Sequence, residues 1–139
     1  MEPLDLTQGP PRPPRAELAG VMFLPRSIDK IRATLPGGKL GEYVIAGFTT
    51  TMLETLGIGL ADFTEAVRTA ASDDEVATFV KSRATADGIA SWHAYALARK
   101  PRGGDRDAAI ATYPFLAGRE EHGLSLDVLA EDDADMFSR

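Results

Sequence analysis

Between Leu24 and Leu35 four charged side chains fall at helical spacing: Arg26, Asp29, Lys30 and Arg32. Leu24, Ile28, Ile31 and Leu35 recur as one apolar face, so on a helical wheel Arg26, Asp29 and Lys30 share the opposite face with Ala33, and Arg32 lies on the flank. Two chemistries fit that face. As a binding site, Arg26 offers a planar fork to a carboxylate or phosphate, Lys30 adds a point charge, and Asp29 orients one of them. As a solvated surface, the same residues form neighbouring ion pairs turned to water, one turn apart.

Pro36-Gly37-Gly38 ends this helix, and the tight turn lets Glu42 and Tyr43 fold back toward it. Glu42 is a candidate general base if burial raises its carboxyl, and Tyr43 a candidate acid or stacking surface. The structural reading has Glu42 pairing with Arg26 or Arg32, and Tyr43 packing with its hydroxyl bonded. His93 follows Trp92 near the edge of another apolar stripe, where it either lines the same cleft or makes a simple hydrogen bond. His122, within Arg119-Glu120-Glu121-His122, reads as surface.

The elements that position these residues are helical. The helix opened by Pro25 is followed by one capped within Thr49-Thr50-Thr51 and closed by Gly57, then by one carrying Leu60, Phe63 and Val67. Ser72-Asp73-Asp74-Glu75 matches a capping box ahead of Val76, Phe79 and Val80. Thr85 and Asp87 precede Ile89, Trp92 and Ala96, Asp105 caps a helix broken near Pro114, and Ser125 opens the last with Leu126 and Leu129 inward. The expected fold is mostly α, a compact single-domain bundle of five to seven short helices spanning residues 15–139. At most one short extended pairing is expected, near Tyr43 to Ile45.

Five of the nine prolines occur in the first fourteen residues, and PPRPPR at 10–15 favours polyproline geometry. Residues 1–14 therefore read as an extended Pro-rich arm, mobile or laid over the domain; the PxxP spacing also fits a protein partner.

Composition limits the function classes. With 44% hydrophobic and 26% charged residues the chain is ordinary for a globular protein, and without cysteine it has no thiolate nucleophile, disulfide framework or cysteine-ligated metal. The two histidines have no metal-ligand spacing, and the glycine pairs 37–38 and 103–104 lack the phosphate-loop patterns. Asp132, Asp133 and Asp135 read as an acidic tail rather than a carboxylate metal site. No metal and no cofactor is expected. Apolar runs too short for a membrane span and an N-terminus without signal-peptide order point to the cytoplasm. The net charge of -6 disfavours nucleic acid and anionic membranes. Residues 1–40 nevertheless carry six basic and four acidic side chains against nine and seventeen in the remainder, so an anion site belongs in the first part.

The segment LPRSIDKIRATLPGGKLGEY, Leu24 to Tyr43, resembles a family of small bacterial proteins catalogued as domain of unknown function number five thousand and sixty-nine. The resemblance extends through the Pro-rich arm, Leu56-Gly57-Ile58, the SDDEV cap and Trp92, over residues 5 to 95, and weakens from Pro101 until SLDVLAEDDADMF. The chain departs from the family pattern at Phe48, the three threonines after it, and Gly59. The resemblance implies a fold unit and no chemistry.

These features predict a noncatalytic binding or interaction domain, with Arg26, Asp29, Lys30, Arg32, Glu42, Tyr43 and His93 as ligand-binding candidates for a small anionic ligand or a partner's carboxylate. Two alternatives stay open: a small acid–base enzyme using Glu42 or Asp29 with His93, and a structural oligomer subunit with no ligand site.

Overall fold

The structure is a computed structural model that describes residues 1–138. Among these, the elements in chain order are β1 (Glu17–Leu18), β2 (Val21–Met22), α1 (Leu24–Thr34), α2 (Phe48–Leu56), α3 (Leu60–Thr69), α4 (Asp73–Arg83), α5 (Ala86–Ala98), α6 (Arg106–Thr112) and α7 (Ser125–Ser138), with 3-10 turns at Pro101–Gly104 and Pro114–Leu116. The fold is mostly α. None of the described helices is long and apolar enough to cross a membrane. The chain divides into two units, Met1–His93 and Ala94–Arg139.

In the first unit the extended pairing lies upstream of where the sequence placed it. Strands β1 and β2 pair antiparallel, Glu17 with Met22 and Leu18 with Val21. Ala19 and Gly20 join them at φ 56° and 71°, the two left-handed residues of a tight hairpin turn whose twist matches the strands. Residues 43–45 form no strand; the Tyr43 amide instead closes a turn on the Leu40 carbonyl at 3.2 Å. Strands of two residues carry no readable alternation, which is why the hairpin escaped the pattern.

Capping was legible where it is local. Asp105 Oδ1 accepts from the Ala108 amide at 3.0 Å, and Thr85 Oγ1 from the Gly88 amide at 3.0 Å, so α6 and α5 begin where these side chains satisfy orphan donors. At α4 the expected box does not form as such: the Ser72 side chain makes no cap bond, and Glu75 Oε2 reaches past Ser72 to accept from the Ala71 amide at 2.8 Å. Helix α2 starts at Phe48, before the threonines, with Gly47 at its N-cap.

The Pro-rich arm is laid down as part of the first unit. The Leu6 amide donates to the Lys39 carbonyl at 2.8 Å, the Lys39 amide to Leu4 at 3.0 Å, and the Leu4 amide to Arg32 at 3.2 Å. The Met1 ammonium donates to the carbonyls of Val67, Arg68 and Ala70 beside the end of α3, where a helix presents unsatisfied acceptors and negative dipole charge. Leu6, Pro11 and Pro14 are buried, so one face of the PxxP spacing is occupied within the protein.

The second unit has a small core of Ala109, Leu116 and Val128, with Ile110, Tyr113 and Phe115 packed against it. The Ser125 amide bonds the Arg99 carbonyl at 2.9 Å, fixing the start of α7 beside the end of α5. Asp133 on α7, read as part of a solvated acidic tail, is buried.

Candidate functional site

Helix α1 begins in an unusual way. Its N-cap is Phe23 at φ 73°, left-handed backbone that a bulky residue adopts only where its surroundings enforce it, and no side chain caps the helix. The enforcement is visible: the Phe23 ring is fully buried and meets Phe48 and Trp92 edge-on, with centroids 5.4 and 6.2 Å away. Phe48 and Trp92 meet each other at 5.8 Å. Such edge-to-face contacts set the quadrupoles of the rings favourably.

The backbone entering α1 is clamped from α5 by two adjacent side chains. Trp92 Nε1 donates to the Met22 carbonyl at 2.8 Å, and His93 Nε2 accepts the Met22 amide at 3.0 Å. Because Nε2 accepts, the proton of the neutral imidazole sits on Nδ1. His93 thus holds the strand that leads into the candidate helix.

Nine of the eleven residues of α1 are buried, including Arg26, Asp29 and Lys30. Of the two readings of this face, the one that turns these three side chains to water does not hold, because the arm and the segment after the helix cover what a wheel drawn on α1 alone leaves open. Arg26 and Lys30 share a pair of aromatic walls. The guanidinium carbon of Arg26 lies 5.8 Å from the Phe23 centroid and 5.6 Å from that of Tyr43; Lys30 Nζ lies 5.5 and 6.0 Å from the same rings. Cation–π attraction of about 0.5–2 kcal/mol per contact, larger when desolvated, helps offset the cost of burying the charges. Arg26 Nη1 also donates to the Arg12 carbonyl at 3.3 Å. Beneath them Ser27 Oγ and Thr49 Oγ1, both fully buried, lie 2.9 Å apart and join α1 to α2.

Asp29 belongs to a different constellation. Its carboxylate accepts from the Arg12 amide at 2.8 Å and from the Arg12 guanidinium at 3.0 to 3.2 Å, and Arg32 Nη1 lies 3.8 Å away. The same guanidinium reaches Asp73 at the first turn of α4, with Nη1 2.5 Å from Oδ2 and Nη2 3.1 Å from Oδ1. Arg12 is therefore a bridge between two helices. Hydrogen bonding to Asp73, then to Asp29, raises the Arg12 pKa against the opposing effect of burial, and the Arg12 bond holds the Asp73 carboxyl below its ordinary value. Arg32 Nε donates to the Glu2 carbonyl at 2.8 Å. Arg12, Asp29, Arg32 and Asp73, with Met1, Leu4, Pro10, Pro11 and Pro13, line an open depression of about 580 Å³.

The seven candidates thus fall into separate places. Arg26, Lys30 and Tyr43 converge on one aromatic box, Asp29 and Arg32 on the Arg12 network, and His93 on the Met22 backbone. Glu42 is exposed. Arg12, Asp73, Phe23 and Thr49 were not foreseen. For Arg12 the sequence offered no local sign, since its carboxylate partners lie 17 and 61 residues away. Phe23, directly before the Leu24-Pro25 helix start, was the one with a usable position.

No curated protein matches the chain. Residues 8–133 match the family described as Domain of unknown function (DUF5069), further toward the C-terminus than the resemblance read from the motifs, and with that match covering most of the sequence the chain belongs to this family.

Proposed function

We propose that this protein is a noncatalytic binding domain, and that Arg26 and Lys30, walled by Phe23 and Tyr43, form the element that holds a carboxylate of a small anionic ligand or of a protein partner. The observation that carries the reading is that two cations one helical turn apart are both buried against the same two rings. Concentrated positive charge behind low-dielectric walls attracts anions more strongly than the same charges in water. A guanidinium fork beside an ammonium suits a carboxylate in particular.

An acid–base enzyme is the weaker reading. Asp29 spends its oxygens on Arg12, His93 spends Nε2 on the Met22 amide, and Glu42 is exposed, so none of the three is poised to exchange a proton. The acidic charge balance favours a small anion at a defined site over nucleic acid. A cytoplasmic setting is part of the same proposal, resting on the sequence features given above.

Mass spectrometry of the purified protein, followed by thermal denaturation with the recovered carboxylate, tests the proposal. A saturating ligand, at about a hundred times its Kd, should add about 2.7 kcal/mol of stability, and Lys30→Met should remove that increment while keeping the packed volume. A protein that yields no anion, and whose melting responds to no member of a carboxylate panel, would overturn it.

A further inference from the structure

The segment from Arg99 to Arg106 reverses the sign of the chain. It carries Arg99, Lys100, Arg102 and Arg106 against a single carboxylate, Asp105, in a protein of net charge -6. That carboxylate is engaged elsewhere, as Asp105 Oδ1 caps α6 through the Ala108 amide. Arg102, Gly103 and Gly104 are consecutive left-handed residues at φ 53°, 69° and 91°. Left-handed backbone at a residue with a side chain is strained, and strain of this kind concentrates at ligand-gripping turns.

Across from this turn runs the segment 119–124. Arg106 Nη1 and Nη2 donate to the carbonyls of Glu120 and Arg119 at 2.5 and 2.6 Å, which fixes the guanidinium without neutralising it. Lys100, Pro101, Gly104 and Arg106 on one side, and Glu121, His122, Gly123 and Leu124 on the other, line a half-open pocket of about 470 Å³. His122, expected at the surface, is half-buried, and its Nε2 is closed off from solvent with no hydrogen-bond partner. A buried ring nitrogen without a partner is a rare feature that calls for an explanation.

We propose that this pocket binds the phosphate group of a small phosphomonoester, with Lys100, Arg106 and His122 as its three donors. A phosphomonoester carries up to two negative charges near neutral pH and three strong acceptor oxygens; the lining cations Lys100 and Arg106 outnumber the one lining carboxylate, Glu121, and with the His122 imidazole they supply three donors. His122 Nε2 gains an acceptor once its ring turns toward the ligand. The volume lies within the range of small-molecule sites and exceeds what a bare phosphate ion fills, which leaves room for the organic part of the ester. The site lies wholly within Ala94–Arg139 and is independent of the α1 reading.

The test is an NMR titration of the full-length 15N-labelled chain with ribose 5-phosphate, with inorganic phosphate and with ribose. Saturable shifts should appear with ribose 5-phosphate at the amides of residues 100–106 and 121–124 and at the His122 ring nitrogens, and none with ribose. Lys100→Ala, a change at an exposed side chain, should weaken binding about tenfold or more, the loss of one charge-assisted contact. His122→Gln should weaken it as well while leaving the amide spectrum elsewhere unchanged. Equal affinity for inorganic phosphate would keep the site and make the free ion its ligand. Shifts that fail to saturate, that persist unchanged in Lys100→Ala, or that are confined to residues around Arg26 and Lys30 would overturn the proposal; the last of these would support the α1 site instead.

Discussion

Helices α1 and α4 are each eleven residues long and similarly charged, four ionisable side chains in α1 and five in α4, yet α1 buries nine residues and α4 three. The difference lies in how each helix is stabilised. Helix α4 places Asp73, Asp74 and Glu75 in its first turn and Lys81 and Arg83 in its last, where they complement the macrodipole, and all of these but the Arg12-bound Asp73 are exposed. Helix α1 has no acidic residue in its first turn, no side-chain cap and a left-handed N-cap. It is held by what surrounds it: Arg12 on Asp29, Thr49 on Ser27, and the aromatic rings against Arg26 and Lys30. One helix is written locally and the other tertiarily, although their compositions look alike.

Substitutions of matched carboxylates break this contrast most sharply. Asp29→Ala should lower the unfolding free energy by about 3 kcal/mol, because it leaves Arg12 without its more buried partner. Asp74→Ala on α4, exposed, should change it by less than about 0.5 kcal/mol. Urea denaturation of both variants measures the difference, and equal effects would mean that α1 is not held through Asp29.

The buried hydroxyl pair gives a second, smaller separation. Ser27→Ala should cost about 1–3 kcal/mol by leaving the Thr49 hydroxyl without a partner, whereas the double variant Ser27→Ala/Thr49→Val should recover much of that loss. A double-mutant cycle showing additive losses would place the cost in packing rather than in the hydrogen bond.

Acid should act where α1 and α4 share Arg12. The Asp73 carboxyl is held below its unfolded value of 3.8, so its stabilisation is complete above that pH and is lost as pH falls through the lower folded-state value. Asp73→Asn should flatten that part of the stability profile by about 1 kcal/mol, a partly exposed pair giving no more. A profile that keeps its full slope in the variant would assign acid sensitivity to other carboxylates.

The smallest effect is expected at the α4 cap. Ser72 accepts no cap hydrogen bond through its side chain, so Ser72→Ala should cost less than about 0.5 kcal/mol, whereas Glu75→Ala should cost about 0.5–1 kcal/mol by removing the acceptor of the Ala71 amide. Thermal melts that reverse this order would show that the Ser72 hydroxyl caps the helix in solution.

Of the candidate site, Arg26, Lys30 and Tyr43 were legible as charged and aromatic neighbours around one helix and the turn after it, and they do share one box. Their burial was not legible. A helical wheel ranks faces by the residues of one helix, so it sets Arg26 and Lys30 opposite Ile28 and Ile31 and carries no information on which other segments cover them. The pairing of Asp29 with Arg12 was hidden for another reason: Arg12 stands in a Pro-rich segment whose composition describes chain stiffness and says nothing of where the chain lies. His93 was placed at the edge of a stripe, but its partner is the Met22 backbone, an amide no side-chain pattern can mark.

What the amino-acid sequence determined by itself is the helical content and the local stops and starts. Apolar periodicity, the caps at Thr85 and Asp105, and the turn at Pro36-Gly37-Gly38 act within a few residues, and interactions at that range depend little on the rest of the chain. At Gly38 the turn runs so close to α1 that an added Cβ would meet the Ala33 carbonyl oxygen at 2.6 Å, a constraint consistent with the local reading. Only the tertiary structure decided which charges are buried, which carboxylate Arg12 bridges to which, and which rings wall Arg26 and Lys30. Those outcomes depend on contacts between residues as far as 71 positions apart, where chain entropy disfavours any single pairing until the whole packing arrangement supplies the compensating energy.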